Sequence, residues 1–183
     1  MIDLSNPYVK NDITLRLLED RVIFLDSELY PEFASFIVKQ LLLLDANDKK
    51  KDIKMFINSP GGDVVSGLMI IDTIKNIKPD VSTIVMGQAA SMAAVIASCG
   101  AKGKRFASEN SRIMIHQVTS GAFGQESDIA IRAKEISRLK IQLNGILVST
   151  TGKNIKQITK DTDRDFFMTA DEALMYGIID AII

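Results

Sequence analysis

The chain has very few of the residues that build metal centres and disulfides. Its 183 residues include one histidine, His116, one cysteine, Cys99, and no tryptophan. A single cysteine cannot form an internal disulfide, which favours a reducing compartment. Zinc sites built from several histidine or cysteine ligands are excluded. Because histidine is the side chain that exchanges protons most readily near neutral pH, His116 is the first candidate for acid–base chemistry.

Other signals of location and partner are also missing. The 22 basic and 23 acidic residues give a net charge of −1, so no basic field indicates nucleic acid. The longest weakly polar stretch, residues 89–101, is shorter than the roughly 20 apolar residues that span a bilayer. The first twelve residues have neither a basic nor an apolar region of a signal peptide. We therefore expect a cytoplasmic protein, and the length predicts a single domain over residues 1–183.

Strand-like and helix-like segments alternate along the chain. The predicted strands cover residues 21–25, 53–58, 81–86, 112–116 and 178–182. The predicted helices between them cover residues 33–44, 64–76 and 89–98. The cluster at residues 59–62 and Gly87 mark breaks. This alternation predicts an α/β fold with βαβ units and a largely parallel sheet.

A long helix is predicted over residues 126–149, after the glycine-containing strip 121–125. Its apolar positions could line one seam: Ile129, Ile136, Leu139, Leu143 and Ile146. A helix of this length in a small domain often reaches towards a partner chain. No linker or second apolar core separates it from the rest, so it belongs to the same domain.

Two strand–helix junctions offer free backbone N–H groups. Glycines in residues 59–62 allow the backbone to approach an anionic ligand, although an ordinary tight turn is the simpler explanation. The second junction places Ser91 at a helix start among small residues, as a nucleophile elbow does. Ala89 and Ala93 stand where that elbow has glycine, and a helix-capping serine is the alternative.

His116 ends a predicted strand, and functional sites gather at the carboxyl ends of parallel strands. A serine nucleophile needs a base within hydrogen-bond reach and a third group that orients the base. Asp161, Asp163 and Asp165 could each be that group, and their spacing does not choose among them. The alternatives are a histidine bonded to a backbone carbonyl and a solvated acidic turn.

Four blocks in this order resemble the signature blocks of the proteolytic subunit of the Clp protease. They are FINSPGG (56–62), GQAASM (87–92), RIMIHQ (112–117) and DTDRD (161–165). The ending ADEALMYGIID (170–180) is similar to the family's C-terminal block, and the resemblance runs from about residue 12 to residue 183. It implies a crotonase-like α/β fold of stacked ββα units with a protruding handle.

By this resemblance Ser91 is the nucleophile, His116 the base and Asp165 the residue that orients the base. The backbone N–H groups of Gly62 and Met92 would form the oxyanion hole. The resemblance implies no metal and no organic cofactor.

The resemblance also implies partners. The family works as two stacked seven-membered rings, joined through a handle that matches residues 118–150, with residues 1–11 as the axial segment. A hexameric Clp-type ATPase unfolds protein substrates and delivers them, and neither nucleic acid nor membrane is an expected partner. The ATPase-docking cleft would comprise Lys54, Phe56, Ile84, Phe106, Ser108 and Ile183.

Several positions depart from the family's pattern. Lys54 and Ser108 stand in the docking cleft where the family usually has an aromatic and an aliphatic side chain. Ala93 and Val95 stand where the family more often has glycine and phenylalanine, and Val118 and Thr119 replace its common Pro-Leu pair. The segment before residue 12 also lacks the family's usual basic-acidic loop. These features predict a divergent paralogue that shares its barrel with a second subunit type. Two alternatives stay open: a catalytically silent ring subunit, and a crotonase-type enzyme that acts on acyl-CoA thioesters.

Overall fold

The computed structural model describes residues 7–121 and 123–183. Its helices are α1 (Pro7–Glu19), α2 (Pro31–Asn47), α3 (Val64–Asn76), α4 (Met92–Ser98), α5 (Glu126–Thr151), α6 (Ile155–Asp161) and α7 (Ala170–Tyr176). Its strands are β1 (Val22–Leu25), β2 (Ile53–Ser59), β3 (Val81–Ala90), β4 (Arg105–Ala107), β5 (Arg112–Ile115), β6 (Phe166–Thr169) and β7 (Ala181–Ile182). Of the predicted axial segment, residues 1–6 lie outside the described residues.

The strands form one mixed sheet that branches at β3. The main path runs β1-β2-β3-β4-β7, and all of its pairings are parallel. The first half of β3 pairs with β4, whereas Gln88, Ala89 and Ala90 pair with β5. Strand β6 adds to β5 in the antiparallel direction. The predicted α/β fold with a largely parallel sheet is therefore confirmed.

Strand β3 is longer than predicted, and the prediction of a break at Gly87 is wrong. The chain stays extended through Ala90, and the helix begins at Met92 instead of residue 89. Gly87 adopts a φ of +95°, and the side-chain oxygen of Asn58 accepts a hydrogen bond from the amide of Gln88 at 3.2 Å. A Cβ atom on Gly87 would lie 2.6 Å from that oxygen. The glycine therefore allows a bend within the strand.

Three helices were missed entirely by the periodicity analysis, together with strands β4 and β6. Helices α6 and α7 have seven residues each, and β4 and β6 have three and four, so none is long enough to display a clear period. The third is α1 (Pro7–Glu19). Helix α2 also continues to Asn47, three residues beyond its predicted end at residue 44.

The element that follows Ser91 lies in the centre of the molecule. Every residue of α4 is buried, because Ala93, Ala94 and Ala97 are small enough to let the helix pack closely against β3, β5, α3 and α5. The isoleucines at positions 70 and 71 of α3 and at position 57 of β2 are fully enclosed in the same core. Dense packing of this kind leaves little freedom for the start of α4.

The long helix α5 packs over only part of its length. Its C-terminal half buries Leu143 and Leu147, whereas Ile129 and Ile131 nearer its start are exposed. The helix ends at Thr151 because Gly152 adopts the left-handed conformation. The predicted helix is therefore confirmed, and its first half projects beyond the core. Within the described part of the chain, no helix is both long and apolar enough to cross a bilayer.

Candidate active site

Ser91 occupies a strained turn between β3 and α4. Its backbone has φ 55° and ψ −124°, and among the described residues only one other non-glycine residue, Arg21, has a positive φ. Such a conformation costs on the order of 1–3 kcal/mol and persists only where the surroundings enforce it. Here the amide of Ser91 donates to the carbonyl of Met114 in β5 at 2.8 Å. The side chain makes no helix-capping bond, so the capping interpretation is wrong.

The neighbouring glycine turn presses directly on this serine. A Cβ atom on Gly61 would lie 2.6 Å from the carbonyl oxygen of Ala90 and 2.8 Å from the Cβ of Ser91. Only glycine permits that approach, and its φ of +91° also favours glycine. The glycine turn at residues 59–62 and the turn at Ser91, which are separate in the sequence, are therefore in direct contact in the structure.

Ser91, His116 and Asp165 form a continuous series of hydrogen bonds. The distance from Ser91 Oγ to His116 Nε2 is 2.7 Å, and the distance from His116 Nδ1 to Asp165 Oδ1 is 3.0 Å. With a proton on Nδ1 donated to the carboxylate, Nε2 is left to accept the serine proton. The arrangement matches a nucleophile, its base and the group that orients the base.

Strand register explains why these three side chains meet. Ala90 of β3 is aligned with Met114 of β5, so Ser91 follows at the level of Ile115, one residue before His116. Strand β6 pairs with β5 in the antiparallel direction, with Phe166 opposite Ile115. Extending that register by one residue sets Asp165 opposite His116.

The other two carboxylates of the acidic cluster face elsewhere. The carboxylate of Asp161 accepts hydrogen bonds from Gln157 and, at 2.8 Å, from the hydroxyl of Tyr176. Burial and this bond hold the pKa of Tyr176 above its ordinary value. Asp163 contributes its backbone carbonyl to a bond from the Gln117 side chain. Of the three aspartates that spacing could not separate, Asp165 alone has a hydrogen bond to His116 among the described contacts.

Gly62 and Met92 both line the cavity beside Ser91. A parallel bridge to Leu29 uses the carbonyl of Gly61 and the amide of Asp63, so the N–H of Gly62 points away from that bridge. Met92 is the first residue of α4, and N–H groups in a first helical turn have no acceptor within the helix. Both N–H groups are thus available to an anion at the mouth of the serine turn.

The cavity has a volume of about 600 Å³ and extends from the serine turn to helix α5. Its far wall consists of Leu139, Leu143 and Leu147, which lie on one face of that helix. A cavity of this size with an apolar wall and a few polar groups at one end has the ordinary features of a ligand-binding site.

No group of three or more His, Cys, Asp and Glu side chains comes together as a metal site within residues 7–121 and 123–183. Burial raises the pKa of the Cys99 thiol to about 11, which keeps it protonated at neutral pH. Since the thiolate is the reactive form, Cys99 is a poor candidate for a second nucleophile.

The predicted docking residues on β2, β3 and β4 lie on one face of the sheet. Phe56, Ile84 and Phe106 are in register on adjacent strands, and Lys54 lies two residues before Phe56 on the same face. Phe24, which the sequence analysis did not single out, stacks on Phe56 with ring centroids 5.5 Å apart.

The remaining two docking residues follow the short strands at the edge of that face. The hydroxyl of Ser108 shares a hydrogen bond with that of Ser111 at 2.8 Å, and Ile183 is 60% exposed. By strand alternation Ser108 falls on the same side of the sheet as Phe106, whereas Ile84 on that side is buried.

A family model described as Clp protease matches residues 5–183. The chain belongs to the Clp protease family. Members of this family are peptidases with a crotonase-like fold, and they generally assemble into oligomeric rings. The mixed sheet and helices of the described residues agree with that fold.

Proposed function

We propose that this chain is the serine endopeptidase subunit of a self-compartmentalised, ATP-dependent Clp protease that cleaves unfolded proteins and peptides. The observation that carries the proposal is the hydrogen-bonded series from Ser91 through His116 to Asp165. The Ser91–His116 distance is within the range at which a base can take a proton from a nucleophile, and the His116–Asp165 distance is that of an ordinary hydrogen bond.

Ser91 Oγ attacks the carbonyl carbon of the scissile peptide while its proton moves to His116 Nε2. Asp165, bonded to Nδ1, holds the ring in orientation and stabilises the imidazolium that forms. His116 then donates the proton to the leaving amine, and the peptide bond breaks to give an acyl-enzyme. Water attacks the ester, gives a proton to His116 and releases the acid, and the proton returns to Ser91.

The negative charge of each tetrahedral intermediate develops on the former carbonyl oxygen. The N–H groups of Gly62 and Met92 are the donors proposed for it, because both line the cavity at the serine turn. Losing one such donor typically costs on the order of 10²–10³ in kcat. The chemistry uses no metal and no organic cofactor.

The assembled form proposed here consists of two stacked heptameric rings that enclose the active sites. The projecting first half of α5, with exposed Ile129 and Ile131, supports a contact between rings within the handle region 118–150. A hexameric Clp-type ATPase would supply unfolded polypeptide, and the rings could be mixed with a paralogous subunit.

Replacing Ser91 by alanine tests the central assignment. We expect Ser91→Ala to abolish hydrolysis of a fluorogenic peptide while the rings stay assembled, because the lost hydroxyl contributes little buried surface. Ser137→Ala is the matched control, since that hydroxyl bonds only to a carbonyl of its own helix among the described contacts. Retained hydrolysis by the pure Ser91→Ala protein would refute the assignment.

A fluorophosphonate probe separates the proposal from its alternatives. Labelling that appears at Ser91 and disappears in Ser91→Ala identifies an activated serine, which neither a silent ring subunit nor an acyl-CoA enzyme requires. Absence of labelling in the unmodified protein would favour one of those alternatives.

Because Lys54 and Ser108 are polar residues in the proposed docking cleft, we expect rings made only of this chain to bind an ATPase weakly. Lys54 is exposed beside the stacked Phe24–Phe56 pair, where an apolar anchor would contribute about 2 kcal/mol or more as a hot spot. We expect the Lys54→Tyr, Ser108→Leu double variant to bind an unfoldase more tightly and to accelerate ATP-dependent degradation of a tagged folded protein. Lys156→Tyr on α6 is the control for an added tyrosine.

Efficient degradation by unmodified homomeric rings with the organism's own unfoldase would contradict this part of the proposal. A double variant that gained no affinity for the unfoldase would also contradict it. In that case the aliphatic stem of Lys54 would already supply the apolar contact.

A further inference from the structure

The side chain of Gln117 connects two elements that flank the proposed catalytic residues. Its amide nitrogen donates to the backbone carbonyl of Asp163 at 2.8 Å, and its carbonyl oxygen accepts from Lys140 Nζ at 3.0 Å. Gln117 follows His116 directly, Asp163 lies two residues before Asp165, and Lys140 belongs to α5. One side chain thus joins the histidine segment, the aspartate loop and the long helix.

The carboxylate of Asp165 depends on its backbone for its position. Its side chain is 60% exposed, and its bond to His116 is the one hydrogen bond recorded for it among the described residues. An exposed carboxylate with a single partner is not held by packing. The loop between α6 and β6 must therefore carry the carboxylate to the imidazole.

That loop is fixed at two neighbouring residues, and both connections lead to α5. The Thr162 hydroxyl lies 2.8 Å from the carbonyl of Ile158 and 3.3 Å from the side-chain oxygen of buried Asn144, and Gln117 bonds to the carbonyl of Asp163 and to Lys140. Lys140 and Asn144 are four residues apart, so they lie on the same face of the helix. One turn of α5 therefore fixes the residues just before Asp165.

We infer that Lys140 and Gln117 are positioning residues that set the His116–Asp165 hydrogen bond, and thereby couple α5 to catalysis. The inference rests on the proposed function, since it assigns a role within that same site.

The hydrogen-bonding inventory explains why Lys140 is needed. An ammonium group has only donors, so it selects the carbonyl oxygen of the Gln117 amide and turns the NH₂ group towards Asp163. Without the ammonium the amide loses one of its two hydrogen-bond anchors, and the Asp163 carbonyl alone holds its orientation. The charge also strengthens the bond that fixes the amide.

The test compares Lys140→Met and Gln117→Glu with the unmodified protein in steady-state hydrolysis of a fluorogenic peptide. Methionine keeps the length of the stem without the donor, and glutamate keeps the bond to Lys140 but cannot donate to Asp163. Both should lower kcat by about 10- to 100-fold, the loss expected for a group displaced by about 1 Å, with KM changed less than about threefold. Lys140→Arg should restore most of the activity, because arginine also donates to the amide oxygen.

Arg138→Met is the matched control. It removes one cation from the same helix, and its recorded partner is the exposed Glu135 at 3.2 Å. Sedimentation of each variant shows whether the rings remain assembled, so that a loss of kcat is measured on equal assemblies.

A double-mutant cycle separates positioning from a merely structural role. In the Asp165→Asn background, Lys140→Met should lower kcat by less than about twofold, because the bond it sets is already impaired. A loss as large as in the unmodified background would overturn the inference, and so would unchanged kcat in Lys140→Met alone. If Ser91→Ala abolishes activity in the same assay, such results overturn this inference only, whereas retained activity in Ser91→Ala overturns the proposed function as well.

Discussion

Two aspartates near the C-terminal end of the chain are paired with a cationic or basic partner in opposite ways. Asp180 is paired with Arg105, and the two side chains are only 17% and 6% exposed. Asp165 is paired with His116, and its side chain is 60% exposed. The first carboxylate meets a permanent charge in an enclosed site, and the second meets an imidazole ring while it is itself mostly exposed.

The surroundings of the buried pair show what it does. The guanidinium of Arg105 also donates to the carbonyls of Ser98, Thr150 and Gly177, which lie at the ends of α4, α5 and α7. Asp180 accepts further bonds from the amides of Gly103 and Arg105. The Arg105–Asp180 pair therefore connects three helix ends to the sheet. The Asp165 side chain bonds only to His116 among the described contacts, so that pair connects fewer elements. The comparison predicts that one pair governs stability and the other governs rate.

The largest expected effect is on rate. Asp165→Asn should lower kcat for a fluorogenic peptide by about 10⁴, the loss seen for the equivalent change in the worked serine-protease template. An amide can hold the imidazole but does not stabilise the imidazolium, and it permits the wrong tautomer. Urea unfolding at matched chain concentration should show a midpoint close to that of the unmodified protein, because the side chain is mostly exposed.

Asp163→Asn is the control for this variant, because the hydrogen bond recorded from Gln117 goes to the Asp163 backbone carbonyl, which the substitution retains. If Asp163→Asn crippled hydrolysis and Asp165→Asn did not, the two roles would have to be exchanged.

The second effect is on stability. Arg105→Met should destabilise the fold by about 3–5 kcal/mol, the usual cost of leaving one buried charge without its partner. Three carbonyls at helix ends would lose their donor in addition. A double variant, Arg105→Met with Asp180→Leu, removes both charges and should recover part of the loss. If Arg105→Met left the urea midpoint unchanged, the Arg105–Asp180 pair would not govern stability, and the proposed difference between the two pairs would be wrong.

The sequence predicted helix α3 accurately and missed strand β6. The bounds of α3 were predicted correctly because its apolar residues repeat with a clear helical period over thirteen residues. Strand β6 has four residues, and it is the element that aligns Asp165 with His116. Without that strand, residue chemistry alone could not choose among three aspartates, and only the resemblance to the family did.

The serine turn was predicted in part. Small residues around Ser91 indicated an exposed nucleophile, but the positive φ of Ser91 depends on contacts with Gly61 and Met114 that are distant in sequence. The Arg105–Asp180 pair gave no sequence signal at all, because it depends on pairing between strands of three and two residues. Contacts made by short elements across the sheet are the part of the site that local patterns do not encode.

The smallest expected effect is a pH dependence of the stabilising pair. Hydrogen bonding and charge from Arg105 hold the pKa of Asp180 below its ordinary value despite partial burial. The folded state therefore binds this proton less readily than the unfolded chain, whose aspartates titrate near about 4. Stabilisation by Asp180 is complete above that value and declines as the pH falls through the lowered pKa of the folded state. We expect the difference in urea midpoint between the unmodified protein and Asp180→Asn to be constant from pH 8 to about pH 5 and to shrink below about pH 4.

Subtracting the midpoint of the Asp180→Asn variant removes the contribution of the other carboxylates, which titrate in both proteins. A difference that stayed constant down to about pH 2 would contradict this prediction. It would show that Asp180 has the same pKa in the folded and unfolded states, so that its charge does not stabilise the fold.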